Sequence, residues 1–526
     1  MKLLKDALVL SVGALALLTP ASFVAQSLDP SVLVKPTPDS WPMYHGDYSG
    51  RRHSALTQIT PHNVSGLGLA WAFQTNQPAE IKSSPLLADG VLFFSVPDNV
   101  WAVDARSGHI VWHYRRPSKG EHIGHRGVAM YKGWLYFTTP DDHLISLNAT
   151  DGTVHWDRTI ADQSVGYWST MSPLVVKNHV IVGVGGDLDN LPGLLRSFDP
   201  ETGDTQWQWF STPPTGTPGK TTGGMTWITG TYDPELNLIY WGTGNPTPVL
   251  NGSTRPGDDE YTCAIVAINP DDGKLKWGFE ASPHDTHDWD AVEIPVLVDG
   301  VFHGKPRKMV MQASRNGYFF VLDRATGESL LTTQFAAANW SLGVDKQGRP
   351  IPNPDKEPKP DGRLIAPDEG GGTNYRSPSF DPATGLFIVD ARQSYSLYFT
   401  KPADGAYGWA GADYDLWGKS AIKAIDYQTG KIRWTHQTGE DSGAGVLTTA
   451  SGLTFTGDDS GNMLALDTAT GKTLWHAGTG GPMQCSPITY ELDGRQYVLT
   501  GSGGVLFAWV LPQSATTSQR AGGHGQ

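Results

Sequence analysis

Apolar and polar residues alternate along most of the chain in short runs, and the runs end in one recurring turn. Trp134-Leu135-Tyr136-Phe137 is such a run, rich in aromatic residues, and it predicts a β-strand. The turn consists of an apolar residue, Asp or Asn, a few turn-forming residues and Gly, with Trp four positions after the Gly. Complete copies run from Asp104 to Trp112, Asn148 to Trp156, Asp199 to Trp207, Asn269 to Trp277, Asp426 to Trp434 and Asp467 to Trp475. A further copy begins at Asp323 and has Leu330 near the position of the Trp.

The spacing of these copies predicts one small structural unit used many times. Each turn joins two strands, and the Trp opens the next strand, where its flat ring can pack on a neighbouring unit. Asp104 and Asn148 are 44 residues apart, whereas Asp323 and Asp426 are 103 apart, so we expect another unit around Ser377 to Asp390. We also expect an opening blade near 67–71 and a closing strand near 505–511. The pattern therefore predicts an all-β fold, an eight-bladed β-propeller with tryptophan-docking repeats and blades of about 40–50 residues.

The two ends of the chain differ from this pattern. Lys2 and Lys5 precede an apolar run from Ala7 to Leu18, which is typical of a signal peptide over residues 1–25. A retained membrane anchor is the alternative, although the run is short for a span. Residues 26–513 form the predicted propeller domain, and the polar, glycine-rich residues 514–526 are expected to be a disordered tail. We therefore expect a periplasmic or secreted protein without stable membrane insertion.

Composition narrows the range of partners. Charged residues make up 17% of the chain and the formal net charge is −14, which argues against a nucleic-acid-binding surface. The only cysteines are Cys263 and Cys485, and their spacing does not show whether they pair. The chain contains no Cys-x-x-Cys-His sequence, so no covalently attached haem is expected.

The strongest candidate for chemistry is the segment from Pro283 to Asp290, which holds three carboxylates and two histidines. If it is extended, Asp288 and Asp290 point to the same side, where they favour a hard cation and leave one carboxylate able to act as a base. An acidic surface loop is the alternative. Asn245 follows the strand that ends at Trp241, and its amide oxygen could join the cation shell, although a plain turn explains it better if the residue is considered alone.

Taken in order, these motifs resemble the quinoprotein alcohol dehydrogenases, the family that binds pyrroloquinoline quinone at the axis of an eight-bladed propeller. The resemblance covers nearly all of the predicted mature chain. It is carried by Trp41-Pro42-Met43-Tyr44, Tyr232 to Tyr240, Gly244-Asn245-Pro246, Arg255-Pro256-Gly257-Asp258, Pro283-His284-Asp285 and Ser314-Arg315-Asn316-Gly317.

The resemblance implies a role for each candidate residue. Trp227 would stack on the quinone, Arg126 and Thr170 would hold its carboxylates, and Asn374 would make a further contact. Asn245 and Asp288 would bind the metal, and Asp290 matches a carboxylate that marks the lanthanide-using branch, which favours a lanthanide ion over calcium. Asp288 would be the catalytic base in alcohol oxidation, and Arg315 would polarise the quinone oxygens. Electrons would pass to a separate periplasmic acceptor such as a cytochrome c.

The chain also departs from the family pattern. Gly120-Glu121 stands where an adjacent cysteine pair is expected, Lys82 replaces a glutamate that touches the cofactor, and Leu188 replaces a metal-binding glutamate. Asp187 or Asp189 could substitute for the latter, and Lys82 could interact with the quinone itself. A tryptophan expected within 441–446 is also missing.

Three functions are compatible with this mixture. The first is a periplasmic quinoprotein dehydrogenase that oxidises a small-molecule alcohol. The second is a quinone-free propeller derived from the enzyme that acts as a binding or assembly scaffold. The third is a metal-dependent binding protein or hydrolase that uses the carboxylates without a quinone. Joint retention of Asn245, Asp288 and Asp290 favours the first, because a scaffold gains nothing from buried like charges without a cation.

Overall fold

The described residues form eight antiparallel sheets, each with four main strands, which are the blades of a β-propeller. The computed structural model describes residues 30–120, 123–186, 190–213, 221–401 and 408–512. Blade 1 consists of Leu86–Ala88, Val91–Val96, Asn99–Asp104 and Ile110–Arg115, and blade 2 of Ala129–Tyr131, Trp134–Thr138, His143–Asn148 and Val154–Thr159. Blade 3 consists of Leu174–Val176, His179–Gly183, Leu194–Phe198 and Thr205–Phe210, and blade 4 of Thr231–Asp233, Leu238–Gly242, Ala264–Ile268 and Leu275–Glu280. The predicted eight-bladed all-β fold is confirmed.

Blades 5 to 8 complete the ring. Blade 5 consists of Val296–Phe302, Lys305–Ala313, Tyr318–Asp323 and Ser329–Gln334. Blade 6 consists of Ser379–Asp381, Leu386–Thr400, Gly411–Asp426 and Ile432–Gly439 with Arg363–Ile365 as a fifth strand, and blade 7 of Leu447–Thr449, Leu453–Gly457, Asn462–Asp467 and Thr473–Gly478 with His53–Ser54 as a fifth strand. Blade 8 consists of Gly68–Gln74, Ile488–Leu492, Arg495–Ser502 and Val505–Val510. Two short pairs lie outside the blades, Thr222–Gly223 with Pro246–Thr247 and Ser341–Val344 with Pro350–Pro352. The described helices are Pro30–Val34 and the 3-10 turns Val64–Gly66, Gln163–Val165, Gly252–Thr254 and Pro354–Lys356.

The ring closes differently from the sequence prediction. Gly68–Gln74 pairs with Val505–Val510, so the expected opening blade and the closing strand belong to one and the same blade. The segment around Ser377 to Asp390 is likewise not a separate blade, because it pairs with the strand that ends at Asp426. The extra residues between Asp323 and Asp426 go into an insertion before blade 6 and into its long central hairpin.

The repeat tryptophans dock their blades on the next blade, as predicted. Trp112 of blade 1 donates from Nε1 to the carbonyl oxygen of Ala149 in blade 2, at 2.9 Å. Gly152 follows in the same turn with φ of 73°, and a Cβ there would lie 2.7 Å from the Trp112 ring. Glycine is needed because the ring and the positive φ leave no room for a side chain. Gly430 is the corresponding glycine of blade 6 and faces blade 5, whose copy of the repeat lacks Trp. A Cβ added at Gly430 would meet Thr333 first.

Packing between blades explains the hydrophobic pattern. Val91–Val96 and Ala264–Ile268 are buried along their whole length, since neighbouring sheets cover both faces. The last strand of a blade, such as Ile110–Arg115, is mostly exposed, and Trp112 is its one buried residue. Cys263 and Cys485 are buried and unpaired. Within the described ranges, no helix is long and apolar enough to cross a membrane.

Candidate functional site

The propeller topology brings the predicted site residues to one end of the ring. Lys82, Arg126, Thr170, Trp227, Asp288 and Asn374 all lie in segments that lead into the first strand of a blade. Asn245 and Arg315 lie in loops between the second and third strands of blades 4 and 5. Neighbouring segments are joined directly, since the Arg126 N–H donates to the Thr170 carbonyl at 2.9 Å and the Ser84 N–H donates to the Arg126 carbonyl at 3.0 Å.

A buried ion-pair network forms the first part of the site. Arg315 donates from one guanidinium nitrogen, Nη1, to the Asp288 carbonyl oxygen at 2.6 Å. The same nitrogen lies 3.1 Å from Asp288 Oδ2 and 3.3 Å from Asp290 Oδ2. All three side chains are buried, so these charges interact with little screening by water. The two carboxylates are therefore brought together, as predicted, but around an arginine.

Asp290 is fixed by two donors from blade 4. The Trp227 indole Nε1 donates to Asp290 Oδ2 at 2.8 Å, and the Asn245 backbone N–H donates to Asp290 Oδ1 at 2.6 Å. Asn245 Nδ2 donates to the Pro246 carbonyl, but no donor in the described residues reaches Asn245 Oδ1, although the residue is only 1% exposed. A desolvated amide oxygen without a donor is costly, and a bound cation relieves that cost.

A tight turn, and not an extended strand, presents Asp288 and Asp290. The Asp285 carboxylate accepts the backbone N–H groups of His287, Asp288 and Trp289 at 3.1, 2.9 and 3.2 Å. Asp288 has φ of 67°, in the left-handed region. The segment is therefore not extended, because the Asp285 cap forces a turn, and the two aspartates meet at Arg315 by another route than strand alternation. His287 stacks on Trp289 and burial lowers its pKa to about 3, so it is a neutral packing residue.

The pKa shifts of the acidic residues reflect burial first. Burial raises the pKa of Asp288 well above its usual range, and it raises that of Asp290, with the Arg315 charge opposing both. Burial raises the pKa of Glu293 to about 8, and neither of its carboxyl oxygens has a hydrogen-bond partner within the described ranges. Burial therefore favours the protonated form of Glu293.

Glu369 is a site residue that sequence reasoning missed. Its Oε1 lies 3.5 Å from Arg315 Nη2. Although burial opposes its charge, Arg315 and a hydrogen bond with Asp288 lower the pKa of Glu369. The one signal in the sequence was a carboxylate directly before the glycine run Gly370-Gly371-Gly372. Glu293 carried no comparable signal.

Cations and aromatic rings form the second part of the site. The Arg126 guanidinium lies 4.8 Å from the ring centres of both Trp227 and Tyr375 and donates to Thr170 Oγ1. Lys82 Nζ lies 5.8 Å from the Tyr375 ring and donates to the Ile123 carbonyl at 3.0 Å. Arg126 thus lies beside Trp227, Thr170 is bonded to Arg126, and Lys82 lies on the far side near Tyr375. This arrangement suits a planar anion.

Three further residues of this part were not predicted. The Arg376 guanidinium lies 4.9 Å from the Tyr375 ring, and both side chains donate to Gln484 Oε1. Tyr375 and Arg376 directly follow the predicted Asn374, so its motif could have pointed to them. Asn374 itself makes local contacts: its Nδ2 donates to the Gly370 carbonyl at 3.0 Å, and its Oδ1 accepts the Tyr375 N–H at 2.8 Å.

Several sequence predictions fall on residues outside the described ranges. These are the signal peptide, the C-terminal tail, Glu121 at the position of the missing cysteine pair, and the three residues Asp187, Leu188 and Asp189. No group of three or more His, Cys, Asp or Glu side chains in the described part of the chain is arranged as a preformed metal site. The Arg315 guanidinium stands among the carboxylates instead.

Fold and site together define a class of protein, a propeller with a buried central site suited to a planar anionic cofactor beside a cation. The family described as "Glucose/ethanol/alcohol dehydrogenase, beta-propeller domain", whose cofactor is pyrroloquinoline quinone (PQQ), matches residues 41–341 and 417–498. The chain belongs to this family, as the sequence motifs predicted.

Individual relatives support the same conclusion. The chain is 34% identical to the quinohemoprotein alcohol dehydrogenase of Comamonas testosteroni, over 92% of this chain and 75% of the relative. It is also 34% identical to a quinoprotein alcohol dehydrogenase of Pseudomonas putida, over 88% of this chain and 86% of the relative. The lanthanide-dependent methanol dehydrogenase of Methylacidiphilum fumariolicum is 31% identical over 93% of this chain and 89% of its own length.

Solved structures agree with this assignment. A quinohemoprotein alcohol dehydrogenase from Pseudomonas putida superposes with a TM-score of 0.87 at 28% identity, covering 93% of this chain and 83% of the other. A europium-containing methanol dehydrogenase superposes with a TM-score of 0.83 at 28% identity, covering 90% and 99%. The chain is thus an oxidoreductase of the PQQ-dependent alcohol dehydrogenase type, and the roles of its individual site residues stay predictions.

Proposed function

We propose that this protein is a periplasmic quinoprotein dehydrogenase that oxidises an alcohol, with Asp288 as general base and a lanthanide or calcium ion in the site. One observation carries the proposal. Asp290 is held by the indole that faces Arg126 and by the backbone of Asn245, and it shares Arg315 with Asp288. A single network thus joins the predicted cofactor residues to the predicted cation residues.

The aromatic part of the site fits pyrroloquinoline quinone. Trp227 offers an indole face, Tyr375 lies across the Arg126 guanidinium from it, and the cations of Arg126, Lys82 and Arg376 surround that ring. A flat molecule with several carboxylates matches such a set, since guanidinium groups pair well with carboxylates. When bound, the quinone supplies a carbonyl group that accepts a hydride.

The acidic part fits a hard cation. Asp288, Asp290 and the free amide oxygen of Asn245 are oxygen ligands of the kind that calcium and lanthanide ions take. The lanthanide-dependent methanol dehydrogenases among the relatives favour a lanthanide for this chain too. Binding requires Arg315 to give way from its present position between the carboxylates.

Asp288 then performs the proton transfer. Burial raises the pKa of Asp288 and so favours its protonated form, whereas a nearby cation favours the ionised form that a base needs. Ionised Asp288 accepts the proton of the alcohol hydroxyl, and Arg315 stabilises the negative charge that develops. Electrons leave to a separate acceptor such as a cytochrome c, the acceptor in the name of the related 1-butanol dehydrogenase (cytochrome c) of Thauera butanivorans.

Reconstitution tests this function. The purified protein is titrated with pyrroloquinoline quinone in the presence of calcium or lanthanum, followed by absorbance, and then assayed by dye reduction with a panel of primary alcohols. We expect saturable quinone binding and turnover that needs both quinone and metal. Asp288→Asn keeps the side-chain shape and should bind quinone while losing at least about a hundredfold in turnover.

Glu201→Gln is the matched control, because Glu201 is a half-exposed carboxylate paired with Lys132 at 3.1 Å in an outer turn of blade 3. It should bind quinone and turn over as the wild type does. Absence of quinone binding with either metal would refute the dehydrogenase and favour a scaffold. Metal binding without any quinone-dependent spectral change would instead favour a metal-dependent protein of another kind.

A further inference from the structure

The segment that precedes blade 8 in the chain, residues 38–52, occupies the axis of the propeller. Backbone N–H groups in the first strands of five blades donate to its carbonyl oxygens, at 2.7–3.1 Å. These donors are Tyr232, Leu297, Phe380, Thr448 and Glu491. So short a segment can reach five blades only where their first strands converge, so residues 38–52 form a plug in the central channel, the axial plug.

A cavity of about 460 Å³ lies beside the axial plug. Its rim includes the exposed Val34 and Lys35, and its floor includes Trp41, His45 and Gly46, which are buried. Pockets that bind small molecules have volumes of about 300–1,000 Å³. No predicted catalytic or cofactor residue in the described part of the chain lines this axial cavity. It is therefore separate from the site described above.

The floor of the axial cavity carries two polar atoms without partners. His45 Nε2 donates to the carbonyl oxygens of Thr229 and Gly230 at 3.3 and 3.2 Å, and burial lowers the pKa of His45 to about 3. The ring is therefore neutral, and its Nδ1 is left as an acceptor. Neither His45 Nδ1 nor the Trp41 indole Nε1, a donor, has a partner among the described residues, although Trp41 is 5% and His45 0% exposed.

The two side chains are held close together. A Cβ at Gly46, the residue after His45, would lie 3.0 Å from the Trp41 ring. The Arg52 guanidinium lies 5.1 Å from the centre of that ring and donates to the Pro487 carbonyl oxygen at 2.6 Å. A floor that is fixed before the ligand arrives loses little freedom on binding.

The walls of the axial cavity favour a neutral ligand. Arg51 and Asp47 pair with each other at 3.4 Å, and His53 Nδ1 lies 3.5 Å from Asp381. Lys35 belongs to the exposed rim. An ion would therefore find no free opposite charge deeper in the cavity, where burial of a charge is costly. The apolar side chains that line it are Val34, Pro36, Pro38 and Leu56.

We infer that the axial cavity binds a small neutral alcohol, whose hydroxyl group accepts from Trp41 Nε1 and donates to His45 Nδ1. A hydroxyl group is both a donor and an acceptor, so one group satisfies both atoms of the floor. The apolar body of the alcohol then packs on Leu56 and the prolines. A water molecule satisfies the same two atoms but fills only about 30 Å³.

Fluorine NMR tests the inference with two probes that differ only in the hydroxyl group. The purified protein is titrated with para-fluorobenzyl alcohol and, separately, with para-fluorotoluene, in the absence of an electron acceptor. We expect saturable binding of the alcohol, about tenfold or more tighter than that of para-fluorotoluene, because two hydrogen bonds are lost with the hydroxyl. Equal affinities would mean that the floor does not recognise a hydroxyl group, and would overturn the inference.

Two variants locate the alcohol. Trp41→Phe removes the donor and keeps an aromatic ring, so it should weaken binding of the alcohol about five- to tenfold and that of para-fluorotoluene less than about twofold. Leu56→Trp places a larger side chain in the partly exposed wall and should abolish binding of both probes. Wild-type affinity for the alcohol in either variant would overturn the inference.

Trp71→Phe is the matched control. Trp71 Nε1 donates to the Ala105 carbonyl oxygen at 3.1 Å, between blades 8 and 1, and Trp71 does not line the axial cavity. This variant also loses an indole N–H, but its affinity for the alcohol should equal that of the wild type. A loss as large as in Trp41→Phe would mean that the effect is one of general stability, and would overturn the inference.

The last comparison separates this inference from the proposed function. Asp288→Asn alters the predicted catalytic residue and should leave binding of the alcohol in the axial cavity unchanged. If Asp288→Asn abolishes binding while Trp41→Phe and Leu56→Trp retain it, the alcohol lies in the catalytic site, so the inference falls and the proposed function stands. Absence of saturable binding to the wild type would mean that the axial cavity holds only water, which also overturns the inference.

Discussion

Trp227 joins the two parts of the site through one side chain, and Trp227→Phe separates its two contributions. The phenyl ring keeps an aromatic face toward Arg126, but it removes the Nε1–H that donates to Asp290 Oδ2 at 2.8 Å. A hydrogen bond to a charged group contributes about 1.5–3 kcal/mol. Since about 1.4 kcal/mol corresponds to a tenfold change in affinity, cation binding should weaken roughly ten- to a hundredfold. Quinone affinity, measured with saturating metal, should change by only a few fold.

Trp241→Phe provides the control for this substitution. Trp241 is a fully buried tryptophan of blade 4 whose Nε1 donates to the Thr226 carbonyl oxygen at 3.1 Å. The Trp241→Phe variant also loses an indole N–H, but the acceptor of that N–H is a neutral carbonyl. The free energy of unfolding should therefore fall by about 1 kcal/mol, while cation affinity stays unchanged. The assay is a terbium or calcium titration of both variants beside denaturant unfolding. Unchanged cation affinity in Trp227→Phe would refute the view that the indole holds Asp290 for the ion.

Three further changes test other parts of the structure. Lys82→Ala should weaken quinone binding about tenfold with little change in melting temperature, because one cation beside Tyr375 is lost; equal quinone affinity would contradict that role. Burial raises the pKa of Glu280 from 4.5 to about 8, so the folded state holds its proton and stability falls as pH rises through that window. Glu280→Gln should therefore be more stable than the wild type at pH about 9, by differential scanning calorimetry, and no gain would mean that the carboxyl is solvated. Gly273→Ala places a Cβ 2.7 Å from the Trp207 ring, whereas Gly304→Ala, also at positive φ, meets no described atom within 4 Å. Urea unfolding should show that Gly273→Ala lowers the free energy of unfolding by about 1–3 kcal/mol more than Gly304→Ala does. Equal losses would argue against the docking of the Trp207 ring on Gly273.

The fold could be predicted because the repeat is local. Each copy contains its own turn, and the Trp and Gly that meet across blades, such as Trp112 and Gly152, occupy fixed positions within it. The closure could not be predicted in the same way. Gly68–Gln74 finds its partner more than 400 residues later, and strand pairing at that distance leaves no local signal. The segment around Ser377 to Asp390 was mistaken for a separate blade because the insertion before blade 6 adds about the length of one repeat.

The site was predictable where motifs were contiguous and not where loops converge. Asp288, Asp290, Asn245, Trp227 and Arg126 came from family motifs, and the structure brings them together. That Arg315 pairs with both aspartates is a property of loops from different blade connections, which sequence order does not show. Glu369 was missed for the same reason, since its partner Arg315 lies 54 residues away.

The same geometry predicts that cation and quinone bind cooperatively. Trp227 presents its ring to Arg126 while its Nε1 fixes Asp290, so an ion that orders Asp290 also orders the ring on which a planar cofactor stacks. Linkage then requires that metal raise quinone affinity by the same factor by which quinone raises metal affinity. Calorimetric titrations in both orders measure that factor, and we expect coupling of about tenfold in the wild type and close to none in Trp227→Phe. Strong coupling that persists in Trp227→Phe would place the connection elsewhere, with Arg315 as the next candidate, because its guanidinium lies against both aspartates.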